Sequence, residues 1–247
     1  MFDQSLAGQS AVVTGASRGI GAAIAATLID SGARVTTLQR SAPPRELAEL
    51  AARHDTELAH VPVDFGDAGS IAAAIEAAGP ADILVTNAGM QVRHDATEFP
   101  LADFEQVLAV NTTAVFQLCQ GFGRGMVERG SGKIVALASL LSFQGGLRVP
   151  AYAASKGAVA QLVKALSNEW AARGVNVNAV APGYVETDMN AALLADAERF
   201  RQLSERIPAG RWATPEDIAT AVAFLCTPYA DYIHGTVLPV DGGWLGR

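Results

Sequence analysis

The sequence predicts an α/β fold, a parallel sheet with helices on both faces, and three observations predict it. Short runs rich in Val, Ile, Leu and Thr alternate with longer segments rich in Ala and Leu along the chain. Most of the short runs are continuously apolar, as strands buried on both faces are. The first run is followed at once by a glycine-rich turn and an Ala-rich segment, a strand–turn–helix arrangement. The length of 247 residues suits one domain, and 50% hydrophobic against 17% charged residues argues against a disordered chain.

Taken in order, the expected strands are Ala11–Thr14, Arg34–Gln39, Glu57–Val63, Ile83–Asn87, Lys133–Ala138, Asn176–Ala181 and Val237–Val240. The expected helices are Ile20–Ser31, Arg45–His54, Ser70–Ala78, Leu101–Arg129, Tyr152–Arg173 and Thr214–Leu225. The last has a clear start: Thr214 can cap it, Pro215 fits its first turn, and Glu216 and Asp217 complement the helix dipole. One segment, Gly183 to Trp212, breaks the rhythm with weak helical patterning. It is either a substrate-covering lobe or a surface excursion. No repeat of fixed period, no linker and no second composition regime divides the chain.

The formal net charge of −7 speaks against a nucleic-acid partner, which needs a basic face. Cys119 and Cys226 lie far apart in apolar surroundings with no metal-type spacing, so they read as buried free thiols in a reducing cytoplasm. The N-terminal MFDQSLAGQS lacks the basic and apolar regions of a signal peptide. The longest uncharged run, Gln106 to Gly123, is interrupted by Asn111, Thr112, Thr113, Gln117 and Gln120 and reads as a buried helix. A soluble protein without a membrane partner is expected.

The glycine-rich turn is Thr14-Gly15-Ala16-Ser17-Arg18-Gly19-Ile20-Gly21. Gly15 permits a sharp turn, Gly19 a close ligand approach, and Gly21 close helix–strand packing. The helix N-terminus then offers N–H groups to a diphosphate. The end of the second strand should meet the adenosine ribose. It carries Gln39-Arg40 where an NAD site usually places an acid, and Arg40 with Arg18 can pair with a 2′-phosphate. Two solvated arginines are the alternative. Asp64, ending the third strand, stands where an adenine amino group can donate to it. Asn87-Ala88-Gly89, ending the fourth, supplies small residues for close approach, although either feature can be plain turn chemistry.

Tyr152-Ala153-Ala154-Ser155-Lys156 places a phenol and an ammonium one helical turn apart on one face. A phenol titrates near 10 unperturbed, so a nearby ammonium and a positive nicotinamide ring are expected to lower it. Ser139, just after the fifth strand, is placed to hold a substrate oxygen near Tyr152.

The set TGASRGIG, Asp64, NAG at 87–89, Asn111, Ser139, YAASK and Pro182-Gly183 resembles the short-chain dehydrogenase/reductase family over essentially the whole chain. That resemblance implies a single-domain, seven-stranded Rossmann sheet and an NAD(P)(H)-dependent oxidoreductase acting on a secondary alcohol or ketone. It implies a catalytic tetrad of Asn111, Ser139, Tyr152 and Lys156, with Asn111 holding a water that links Lys156 to solvent. It further implies that Lys156 meets the nicotinamide ribose, that Val185 and Thr187 meet the carboxamide, and that Gly183–Trp212 is the substrate lobe. A homotetramer is implied too, with the Leu101–Arg129 and Tyr152–Arg173 helices at one interface.

The segments LLSFQGGLRVPAYAASK, NEWAARGVNVNAVAPGY, RIPAGRWATPEDI and VDGGWLGR are similar to a subgroup of that family that oxidises a 3-deoxy keto sugar acid. Such a substrate needs a cation for its carboxylate. Arg148 is the first candidate and Arg93 the second, with Gln144 a further substrate contact. The subgroup generally favours NAD, whereas Arg40 leans towards NADP, and the nucleotide choice stays open. A reductase of 3-oxoacyl chains on an acidic carrier, a gluconate dehydrogenase and a non-catalytic dinucleotide-binding regulator are the competing readings. Gly130-Ser131-Gly132-Lys133 lacks the spacing and the Ser or Thr of a phosphate loop and reads as a turn. His54, His60, His94 and His234 show no metal-ligand spacing, so no metal is expected.

Overall fold

A computed structural model describes residues 5–247; residues 1–4, the start of the segment MFDQSLAGQS expected to lack a signal peptide, lie outside the described residues. The chain runs β1 Ser10–Thr14, α1 Gly19–Asp30, β2 Arg34–Gln39, α2 Arg45–Arg53, β3 Leu58–Pro62, α3 Ala68–Ala78 and β4 Ile83–Thr86. It continues through α4 Leu101–Leu108, α5 Ala114–Arg129, β5 Gly132–Leu137, α6 Pro150–Trp170 and β6 Val175–Pro182, and closes with α7 Ala191–Ala195, α8 Ala197–Arg206, α9 Pro215–Cys226 and β7 Val237–Val240.

The strands form the expected seven-stranded sheet in the order β3-β2-β1-β4-β5-β6-β7. Every pairing is parallel, with Ser10 opposite Arg34 in β1–β2 and Ala11 opposite Ile83 in β1–β4. Both faces of the sheet are covered, which is why the inner strands carry no alternation: β4 is buried at all four positions. One apolar layer joins the sheet to α1, α2 and α9 through Ile24, Leu28, Leu47, Ile218 and Val222. The other joins it to α3, α5 and α6 through Ile71, Leu118, Phe122, Val159 and Val163. The strand order reverses between β1 and β4, so the connections leaving their C-terminal ends diverge and open a crevice there.

Two helices differ most from the sequence reading, and α3 also starts two residues early, at Ala68. The expected Leu101–Arg129 helix is interrupted by a π-helical turn, Ala109–Thr113. Asn111 is fully buried in that turn, and its amide is bonded to the Met90 backbone and to Ser155 Oγ. One extra residue in the turn lets this side chain face inward without ending the helix. The helix expected from Tyr152 begins two residues earlier, at Pro150, where a missing N–H costs nothing. Gly130 ends α5 in the left-handed conformation, φ 74°, so the Gly-Ser-Gly-Lys sequence is a helix end leading into β5.

The irregular Gly183–Trp212 segment contains α7 and α8 and has an apolar cluster of its own. Leu203, Ile207 and Trp212 pack there with Leu140 and Trp244, and Phe200 stacks on Trp212 at 5.3 Å between centroids. It lies against the glycine-rich turn, since Arg18 pairs with Asp188 at 3.3 Å.

Candidate active site

The site grows from the crevice between β1 and β4. Thr14 Oγ1 accepts from the N–H groups of both Asn87 and Ala88 at 2.9 Å, and Asn87 Nδ2 donates to the carbonyls of Thr14 and Gly15 at 3.0 Å. These bonds tie the glycine-rich turn to the end of β4. Gly15 and Gly19 have φ values of 68° and 55°, where a side chain is strained. A Cβ on Gly21 would stand 2.1 Å from the Gly15 carbonyl and 2.4 Å from Asn87 Nδ2, so only glycine lets α1 approach this closely.

Arg18, the residue preceding α1, makes no side-chain cap, which leaves the first N–H groups of the helix free of a side-chain partner. A cradle without Cβ atoms beneath a helix N-terminus fits a dinucleotide diphosphate. Ile20 of the turn lines the main cleft, and Ser17 is half-buried beside it.

The ribose end departs from the sequence reading. Gln39 is buried, and its Oε1 accepts from the Ala16 N–H at 2.7 Å, so it turns back to brace the glycine-rich turn. Its Nε2 is buried without a partner. Arg40 is exposed and has no ion pair among the described residues. Arg18 reaches Asp188 across the crevice. Asp64 is exposed and its Oδ1 accepts from Gly66 N–H at 2.9 Å, the tight-turn chemistry that was its alternative.

A cleft of about 440 Å³ opens beside this cradle. Ser139, Tyr152 and Lys156 line it, with Asn87 and Gly89 on one side and Pro182, Gly183, Val185 and Thr187 on the other. Ser139 caps a short turn, Leu140–Ser142, and its Oγ accepts from Leu141 N–H at 3.1 Å. Ser142 Oγ donates to the Lys156 carbonyl at 2.7 Å, fixing that turn to α6. The Lys156 ammonium stands 5.7 Å from the Tyr152 ring centroid and donates to the Leu137 carbonyl at 2.5 Å. Asn111 sits behind Gly89: a Cβ on Gly89 would lie 3.3 Å from Asn111 Oδ1 and 3.9 Å from Lys156 Nζ.

The electrostatics run against the expectation of a lowered phenol. Burial pushes the Tyr152 phenol up from its ordinary value, and a hydrogen bond with the Ser139 hydroxyl pulls it part of the way back. Burial lowers the Lys156 ammonium to about 8. In the protein alone, desolvation outweighs the Ser139 hydrogen bond, so a further influence that would lower the phenol is a positive nicotinamide.

Of the three expected substrate contacts, Arg93 and Gln144 line the cleft and Arg148 does not. Arg148 has a left-handed backbone, φ 64°, and pairs with Asp95 at 3.0 Å, outside the cleft lining. The first candidate for a carboxylate is therefore corrected. Two cations missed in the sequence stand in the lining: Arg199 and Arg206, both from α8. Arg199, Leu203 and Arg206 follow the i, i+4, i+7 spacing of one helix face, a signal that weak patterning in this segment obscured. His94 lies outside the lining; its Nε2 is 2.7 Å from Asp103 Oδ2, and its ring edge meets Phe99. Among the described residues, no group of three or more His, Cys, Asp or Glu is placed to hold a metal ion.

Comparison with known proteins places this geometry. The family model described as enoyl-(acyl carrier protein) reductase matches residues 15–245. The 2-dehydro-3-deoxy-D-gluconate 5-dehydrogenase of Pseudoalteromonas atlantica is 45% identical, the match covering 98% of each chain. The galactitol 2-dehydrogenase (L-tagatose-forming) of Cereibacter sphaeroides is 43% identical over 97% of this chain and 96% of its own. A crystal structure from Agrobacterium tumefaciens with bound NADP, described as a candidate 2-deoxy-D-gluconate 3-dehydrogenase, superposes with a TM-score of 0.93 at 48% identity, covering 100% of this chain and 99% of that one. The chain belongs to the short-chain dehydrogenase/reductase family of NAD(P)-dependent oxidoreductases.

Proposed function

We propose that the protein interconverts a secondary alcohol and a ketone on a sugar acid, with 2-dehydro-3-deoxy-D-gluconate as the substrate that fits best. The observation that carries this reading is the charge of the cleft: its ionisable lining is Arg93, Lys156, Arg199, Arg206, Tyr152 and Tyr184, with no Asp or Glu among the described residues, in a protein of net charge −7. Such a pocket favours an anionic substrate. The Pseudoalteromonas relative's sugar-acid activity supports the same reading.

The bound nicotinamide supplies or takes up the hydride. The glycine-rich turn with Gly15, Ser17, Arg18, Gly19, Ile20 and Gly21 would hold its diphosphate, and Asn87, Ala88 and Gly89 would lie along the ribose. Arg40 and Asp64 would meet the adenosine end, with Gln39 bracing the turn beneath them, while Pro182, Gly183, Val185 and Thr187 would meet the nicotinamide. Tyr152 exchanges the proton with the substrate oxygen at Oη, and the Ser139 hydroxyl steers that oxygen by a hydrogen bond. Lys156 hydrogen-bonds the nicotinamide ribose and, while protonated, favours the phenolate. The Asn111 amide is taken up by Met90 and Ser155, so any contact with a relay water falls to its main-chain carbonyl in the π-helical turn. The Gly183–Trp212 lobe covers the substrate.

The setting we infer is cytoplasmic: Cys119 and Cys226 are buried free thiols that burial pushes up to about 12, suited to a reducing compartment. No described helix is long and apolar enough to cross a membrane. A homotetramer is the assembly proposed, supported by exposed Leu101 and Phe116 on α4 and α5, with the mass by light scattering as its check.

The deciding experiment is the initial rate with 2-dehydro-3-deoxy-D-gluconate and with D-gluconate, each with NAD⁺ and NADP⁺. The deoxy keto acid is expected to be preferred; activity on neither acid sinks the substrate assignment. The arginines would also suit the phosphate of an acyl carrier's prosthetic arm, so acetoacetyl-CoA with NADH and NADPH forms the third arm, and preference for it would select that reading.

A further inference from the structure

Helix α8 sorts its charges. Glu198 and Glu205 both bind Arg201, at 2.8 and 2.6 Å, on one side of the helix. On the side lining the cleft stand Arg199, Leu203 and Arg206, and among the described residues neither arginine has an ion pair. Glu198 adjoins Arg199 and Glu205 adjoins Arg206 along the helix, yet both carboxylates are directed to Arg201, leaving the two cleft-side charges unneutralised.

Arg206 is also held in place. Its guanidinium carbon stands 4.0 Å from the centroid of Trp244, a buried ring that lines the same cleft. Trp244 is fixed in turn, with its Nε1 donating to Gln144 Oε1 at 3.4 Å and its ring 4.8 Å from that of Tyr184. Arg247 donates to the Glu205 and Arg206 carbonyls at 3.1 and 3.3 Å, closing the end of the helix. A guanidinium laid on an aromatic face keeps its planar edge of N–H donors free for a carboxylate.

We propose that Arg206, stacked on Trp244 and supported by Arg199 from the same helix face, receives the substrate carboxylate and sets the preference for an acidic over a neutral sugar. Arg93, from the loop after β4, lines the same cleft as Tyr184, so two segments, that loop and α8, bring positive charge to it. Acid against neutral polyol is a live distinction among the relatives, one named for galactitol and another for a sugar acid. The assignment rests on the sugar-acid reading above. It puts the determinant in the lobe, away from Arg148 beside the catalytic helix.

The test compares 2-dehydro-3-deoxy-D-gluconate with its methyl ester, which keeps the carbon skeleton and removes the charge. Wild-type enzyme is expected to prefer the acid. R206Q should lower kcat/KM for the acid roughly 10- to 100-fold, mainly through KM, as expected for loss of a charge-assisted hydrogen-bonded pair, and leave the ester nearly unchanged. R206K keeps the charge but loses the planar fork, so an intermediate rate on the acid is expected. W244L should raise KM for the acid less than R206Q does. A wild-type preference for the acid that survives R206Q overturns the assignment alone, as does an equal fall on acid and ester. Wild-type enzyme that turns over both equally likewise overturns the assignment alone, and one that turns over neither overturns the sugar-acid reading and the assignment with it.

Discussion

Tyr152 shows how much of a catalytic group's behaviour is set by its surroundings. The YxxxK spacing brings phenol and ammonium onto one face of α6, but burial determines which protonation state the protein alone prefers. With the phenol raised, the neutral form suits proton donation to a ketone oxygen, while alcohol oxidation needs the phenolate. Oxidative kcat/KM should therefore climb as pH rises through the alkaline range and reductive kcat/KM should fall, read as paired pH–rate profiles. An oxidation rate that declines with rising pH would count against Tyr152 as the base. Tyr152→Phe should reduce turnover on the order of 10²–10⁴-fold while nucleotide binding, followed by fluorescence titration, persists.

At the scale of elements, the N-terminus of α9 is where the sequence signal and the geometry agree most closely. Thr214 accepts from Asp217 N–H and Asp217 accepts from Thr214 N–H at 2.8 Å, a reciprocal capping box. Arg211 adds a fork to the same carboxylate at 2.6 and 3.0 Å. The Arg211 guanidinium and the Thr214 N–H together hold the Asp217 carboxyl down to about 2, from an ordinary 3.8. Because the folded value is depressed, this stability is fully present above the ordinary value and is lost as pH falls through about 2. Asp217→Asn should cost about 1 kcal/mol at neutral pH, from the cap, and flatten the acid limb of stability, both measured by denaturant titration across pH. The π-helical turn at Ala109–Thr113 carried no such signal. Its cause is a set of bonds from Asn111 to residues 21 and 44 positions away, which no local pattern contains.

For the whole molecule, the contrast that matters is between a net charge of −7 and a cleft whose ionised side chains are all cationic. The acidic exterior gives no hint of the interior field, because charge counted along a chain contains no information about which groups converge. The same limit applies to the nucleotide. Arg40 stands exposed and without an ion pair among the described residues, available to a 2′-phosphate, whereas Arg18 is drawn to Asp188 on the lobe. Arg40→Ala is expected to diminish the thermal stabilisation by NADPH much more than that by NADH, with each nucleotide titrated to saturation. Equal losses would remove Arg40 from phosphate recognition.

By itself the sequence determined the layered parallel sheet, the glycine-rich turn and the residues of the Tyr-xxx-Lys pair. Each depends on near neighbours: apolar runs define buried strands, φ-permissive glycines define the turn, and helical periodicity aligns Tyr152 with Lys156. Tertiary structure alone decided that Gln39 braces the turn, that Arg148 leaves the cleft for Asp95, and that Arg199 and Arg206 enter it. Those outcomes depend on which of several chemically equivalent side chains finds a partner first. An arginine within reach of a free carboxylate is neutralised by it, and one whose neighbouring carboxylates are already engaged keeps its charge for a ligand.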